Sequence, residues 1–203
     1  MKKLNYFTLA FAIAISLGFA TSCSNNNTSD EAKNAANEDP KKNAEEHNDA
    51  KFSSDNEKDA QFLVEAADIN LKEISAGKLA ANNGMTKEVR ELGTAMSTQH
   101  QKAYDELAAL AKKKNISVPS AMSDKSQKEY NNLSEKRGSD FDKDFSDAMV
   151  SGHKDAIEQF DKAAKECTDP DIQAWAANML PSLRMHLDES MVAQEKAKNI
   201  GMK

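Results

Sequence analysis

Four side chains interrupt apolar helix stripes with groups able to bind a metal or move a proton: Glu73, His100, His153 and His186. Imidazole and carboxylate are donors that Zn, Fe, Ni or Cu accept, and three histidines with one glutamate suffice for a mononuclear site. A dinuclear carboxylate site would need Glu-x-x-His pairs, and the residues three before the histidines are Ser97, Val150 and Leu183. The same groups titrate near neutral pH, but no nucleophile, oxyanion donor or substrate pocket is legible beside them, so no enzymatic activity is expected. A second arrangement competes with the metal. Neutral interior histidines hydrogen-bonded to each other, to Glu73 or to Tyr104 would form a polar layer that fixes helix register. That layer is the first expectation; one divalent transition metal is the alternative, and no cofactor is established.

Each of the four lies on a different segment of helical periodicity. The first, about 55 to 82, puts Phe62, Ala66, Ile69, Glu73, Ala76 and Ala80 on one stripe, and the second, about 87 to 114, does so with Val89, Leu92, Met96, His100 and Leu107. Asn83-Gly84 separates them. The third opens at Ser139, with Asp142 placed as in a capping box, and carries Phe141, Phe145, Met149, His153 and Phe160. The fourth starts at Asp169-Pro170, an N-cap followed by proline at the first helical position, and carries Ile172, Ala176, Leu183 and His186. Between the second and third, a polar stretch around 123 to 136 predicts a loop with a short extra helix and leaves room for a crossover. In an up-down arrangement the four polar residues fall within about 10 Å of one level, so they could converge. The methionines at 85, 96, 122, 149, 179, 185 and 191 are dispersed rather than paired as Met-x-x-Met, which points to core filling rather than copper binding.

The fold class is therefore all-α, a four-helix bundle over residues 55–203, preceded by two further regions. Residues 1–22 have signal-peptide order: Lys2 and Lys3, an apolar run, then Ala20-Thr21-Ser22 before Cys23. Those small residues resemble a lipobox, which makes Cys23 the lipidated first residue of the mature chain, attached to the membrane through acyl chains. Residues 23–54 read as a disordered polar tether, because Asp and Glu outnumber Lys seven to four over 24–54 and Phe52 is the one aromatic there. With Cys23 acylated, Cys167 has no disulfide partner, and it is expected to be a small buried hydrophobe. The formal charge of −6 invites no nucleic acid. Lys112-Lys113-Lys114 falls at a helix end, where cations complement the dipole.

The run Phe62-Leu63-Val64-Glu65-Ala66-Ala67, with Glu73-Ile74 and Gly77-Lys78-Leu79-Ala80, resembles the opening of the bacterial domain of unknown function 4142 family. Val89, Met96, His100 and Asp105-Glu106-Leu107 resemble its second helix, Phe141, His153 and Phe160 its third, and Asp169-Pro170, Leu180-Pro181 and His186-Leu187 its fourth. The resemblance implies a ferritin-like four-helix architecture in an exported protein, a family labelled predicted outer membrane protein, and it implies no activity. The expected function is a membrane-tethered, non-catalytic envelope lipoprotein of the outer membrane, serving stress tolerance or binding an unknown protein partner. The alternative is a metal-binding bundle with a mononuclear His/Glu site.

Overall fold

A computed structural model describes residues 38–200. Six helices follow in order: α1 (Pro40–Asp49), α2 (Ser54–Asn83), α3 (Lys87–Lys114), α4 (Asp124–Ser134), α5 (Gly138–Glu166) and α6 (Pro170–Ile200). No strand occurs among the described residues. The four long helices are the four periodic segments, and α4 is the short helix expected between the second and third. The expected signal peptide, Cys23 and the first part of the expected tether lie outside the described residues.

Buried carboxylates at the helix ends define the topology. Asp59, near the start of α2, accepts hydrogen bonds from the amides of Thr168 (2.9 and 3.0 Å) and Asp169 (2.7 Å), between α5 and α6. Lys114, at the end of α3, pairs with Asp169 at 2.5 Å and Asp171 at 2.8 Å, so it joins the same end. At the opposite end Asp142, near the start of α5, accepts from the amides of Met85 (2.8 Å) and Thr86 (2.7 Å) and from the Thr86 hydroxyl (2.7 Å). The long helices therefore run up, down, down, up. The connection over 115–137 is the crossover that its length allowed, and the up-down arrangement used to align the polar residues is replaced. On the way α4 packs on α2 and α5, and Asp68 of α2 holds its start by accepting from the Ser123 amide and hydroxyl and the Ser126 hydroxyl at 2.7–2.8 Å.

Asp142 thus does not close a capping box on its own helix. The residue before α5, Arg137, makes no side-chain cap, and Asp142 instead braces the turn that starts α3. Removing this fully buried acceptor strands its donors. Asp142→Ala is expected to cost about 1–3 kcal/mol, read as a lower urea midpoint with an unchanged m-value.

Gly84 ends α2 with φ −58°, an ordinary value, so no left-handed cap is involved. Its requirement is spatial, because a Cβ there would lie 2.7 Å from both the Ala80 carbonyl oxygen and a Val89 methyl carbon. Gly77 and Gly93 face each other in the same sense: a Cβ on Gly93 would sit 2.6 Å from the Gly77 carbonyl oxygen. The α2 and α3 backbones touch at that crossing.

Helix α1 extends the ordered region upstream of the start expected at Asp55. Asp39-Pro40 repeats the Asp-Pro start of α6, with Asp39 accepting from the Lys41 and Lys42 amides at 2.8 and 3.2 Å. Ala44 and Asn48, four residues apart, are buried. The Asn48 amide group donates to the Ser117 carbonyl and accepts from the Ser117 amide, both at 2.8 Å. His47 is exposed, as a solvated residue should be. A chain beginning at Glu38 should accordingly melt higher than one beginning at Asp55, by about 1–2 kcal/mol for the buried alanine and the paired amide. Equal melting temperatures would show that α1 does not hold to the bundle.

Two apolar clusters fill the bundle. One, toward the α5–α6 turn, includes Leu63, Leu107, Phe160, Ile172, Trp175 and Leu183. The other, toward the α2–α3 turn, includes Val89, Leu92, Met96, Phe141, Phe145 and Met149. Cys167 is buried, and burial followed by the nearby Asp59 carboxylate pushes its thiol up to about 12, so it is the inert small hydrophobe expected. Met96 and Met149 are core residues, whereas Met85, Met185 and Met191 are exposed and fill no core position.

Candidate metal centre

The layer between the two apolar clusters is polar. Position along each helix dictates it: His100 stands between Met96 and Leu107, His153 between Met149 and Phe160, His186 between Leu183 and Ala193, and Glu73 between Ala67 and Ala76. All four are buried. His153 is fifteen residues past Gly138 and thirteen before Glu166, and His186 is sixteen past Pro170 and fourteen before Ile200. Each sits near the middle of its helix, so reversing a helix barely changes its level, and the residues converge under either topology.

The structure brings the three histidines together. One ring nitrogen from each of His100, His153 and His186 lies within 4.8 Å of the others, and ring centroids are 5.2–5.6 Å apart. Glu73 does not join that group. It is buried beside it, close enough for His153 to act on its charge, and its Oε2 has no hydrogen-bond partner.

The second nitrogen of each ring is held from outside the cluster. His100 Nδ1 donates to Asn70 Oδ1 at 2.9 Å, and the Asn70 amide is oriented by its own donation to the Ala66 carbonyl at 2.7 Å. His153 Nδ1 donates to the Met149 carbonyl at 2.9 Å. His186 Nε2 donates to Gln99 Oε1 at 2.8 Å, which also accepts from Ser182. An N–H committed to an oxygen acceptor leaves the opposite nitrogen as a bare lone pair in a neutral ring. Those opposite nitrogens, Nε2 of His100, Nε2 of His153 and Nδ1 of His186, are buried and without partners.

This differs from the hydrogen-bonded layer expected first. The histidines make no hydrogen bonds to one another or to Glu73, and the Tyr104 hydroxyl donates to the Pro119 carbonyl at 2.9 Å. Asn70 and Gln99 were not singled out by sequence. Asn70 stands three residues before Glu73 on one helix face, and Gln99 adjoins His100 on the neighbouring row.

Electrostatics favours the neutral form of two of the three rings. Burial, then the neighbouring imidazoles, holds His100 well below its ordinary value. The same two causes lower His186 to about 4. Burial raises the Glu73 carboxyl. Neutral imidazole is the form that binds metal, and an N–H bonded to a carbonyl or amide oxygen is the usual outer support of a metal-binding histidine. Three nitrogens bound to one ion sit about 3.4 Å apart, so the rings would close in slightly around it. The donor set fits a divalent transition ion.

A family model described as Domain of unknown function (DUF4142) matches residues 41–192. The chain belongs to the DUF4142 family. The matched region starts inside α1 and ends inside α6, so most of α1 and all four polar residues of the layer fall within the DUF4142 unit. No curated protein and no solved structure matches this DUF4142 chain.

Proposed function

We propose that this DUF4142 protein is a lipid-tethered module of the bacterial envelope, at the outer membrane, whose bundle binds one divalent transition metal ion through His100, His153 and His186. The observation that carries the metal reading is three buried ring nitrogens, from three helices, each without a hydrogen-bond partner and each in a ring whose other N–H is engaged. A buried polar atom left unpaired is costly, and an ion recovers that cost for all three together. Glu73 supplies a nearby carboxylate to offset part of the added charge. Elemental analysis of the purified protein should find about one equivalent of Zn, Fe, Ni or Cu, and none in the variant with all three histidines changed to Ala. A metal-free wild type that also fails to take up any of these ions would reject the reading.

The tether reading rests on the order of residues 1–23. None of the described helices is long and apolar enough to cross a membrane, and in this reading the acylated Cys23 provides the attachment. Cys23→Ser should therefore move the protein out of the membrane fraction and abolish incorporation of labelled fatty acid. Wild-type labelling in that variant would contradict it.

A further inference from the structure

Among the glycines of the described residues, all but one have a backbone reason to be glycine. A Cβ on Gly77, Gly84 or Gly93 would fall 2.6–2.7 Å from a backbone atom, and Gly138 takes φ +60°. Gly152, in the interior of α5, has neither reason. A Cβ there would meet one atom within 4 Å, Glu73 Oε1 at 3.6 Å, which is an ordinary contact. Glycine weakens a helix interior relative to alanine, and here alanine would fit. What the missing methyl group leaves open is the approach to the Glu73 carboxylate from a cleft of about 470 Å³ between α1, α2, α4 and α5, which Glu73 and Gly152 both line. We infer that this opening is the entry route of the divalent ion, with Glu73 as the carboxylate that takes it from the cleft toward the three histidines.

This route rests on the metal reading above. The cleft draws cations, because its carboxylates outnumber its lysines seven to four, and a cleft dominated by one sign of charge concentrates the opposite ion. Its two partly buried lysines are already matched, Lys41 with Glu65 at 2.5 Å and Lys72 with Glu129 at 2.9 Å. Asp68 is occupied by Ser123 and Ser126. Glu73 is different: it is 3% exposed, with Oε2 sealed and unpartnered and Oε1 beside Gly152. The carboxylate therefore lies in the wall between the cleft and the polar layer, and His153, the residue after Gly152, acts on its charge. A hydrated ion gives up water as it enters a buried layer, and an anionic oxygen replaces part of that hydration. The opposite cleft, between α3 and α6, offers no buried carboxylate. Asn70 and Gln99 line it on the engaged sides of His100 and His186, so an ion there would meet committed N–H groups rather than lone pairs.

The test is the rate of Co(II) uptake by the metal-free protein, followed through the cobalt d–d bands after rapid mixing. Glu73→Gln should slow uptake about tenfold or more, the low end of what a focusing charge contributes. Gly152→Ala should slow it by a comparable factor, yet reach the wild-type cobalt spectrum and stoichiometry, with a metal-free melting temperature no lower than that of the wild type. Ala103→Leu, which narrows the opposite cleft, should leave the rate unchanged. A wild-type rate in Gly152→Ala would overturn the route while the metal reading stands, as would uptake slowed in Ala103→Leu alone. Less cobalt bound by Gly152→Ala at equilibrium would overturn it too, because the glycine would then serve the histidine cluster itself. A wild-type rate in Glu73→Gln would likewise overturn the transfer through that carboxylate. Failure of the wild type to bind cobalt at all would overturn both readings.

Discussion

Zinc or cobalt, at a thousandfold excess over its dissociation constant, should stabilise the folded domain by about 4 kcal/mol, and His153→Ala should lose most of that gain. The three donors come from α3, α5 and α6, and only the folded chain assembles them, so binding energy becomes folding energy. His153 is the most direct probe because its Nδ1 is bonded to the backbone of its own helix, at Met149, and its removal disturbs no partner side chain. The pH dependence follows from burial. Protons compete for the same lone pairs, but His186 takes its proton only near pH 4 and His100 well below 6.5. The metal-dependent rise in melting temperature should therefore fall off less steeply below about pH 6 than it would for an exposed histidine cluster. An equal rise in His153→Ala would place the ion elsewhere on the protein.

Without metal, the domain should lose stability as pH falls from 6.5 toward 4, with His186 alone contributing about 3 kcal/mol. Above pH 6.5 His186 is neutral in both folded and unfolded chains, and its effect is fully present. Between 6.5 and about 4 the unfolded chain binds a proton that the folded chain refuses, so unfolding is favoured progressively. Below the folded value the loss is complete. His100 acts in the same direction. Glu73 acts in the opposite one: its folded value is raised above 4.5, so its contribution is full below the unfolded value and is lost as pH rises through the folded one. Urea midpoints at pH 7, 5.5 and 4.5 should fall steadily in the wild type and less in His186→Gln, while Glu73→Gln should remove the opposing Glu73-dependent part of the profile. Parallel pH profiles for the wild type and His186→Gln would show that the imidazole is solvated when folded.

Apolar spacing of three and four residues made the four long helices readable, because each must bury one stripe whatever its neighbours are. The Asp-Pro pair before α6 marked a helix start correctly, and the same pair at Asp39-Pro40 marked α1. Composition over 24–54 hid that second signal, since the segment is polar and asparagine-rich. Its burial depends on Ala44 and on Asn48 meeting Ser117, a contact 69 residues away. Asp142 shows the converse limit. Its spacing from Ser139 fits a capping box, but a carboxylate near a helix start can equally serve a turn delivered by another part of the chain, and here it serves Met85 and Thr86.

Sequence by itself determined that this protein is all-helical, and which helix carries each polar group, with the three histidines at mid-length. Those are local properties of periodicity and residue type, and the mid-length placement made convergence independent of helix direction. Only the tertiary structure decided the up-down-down-up path, the separation of Glu73 from the three histidines, and the outward engagement of one nitrogen on each ring. Those outcomes depend on which helix faces meet and on Asn70, Gln99 and the Met149 carbonyl reaching the rings from outside the cluster. A linear pattern carries no record of those meetings, because hydrogen-bond partners are selected by position in space rather than by spacing along the chain.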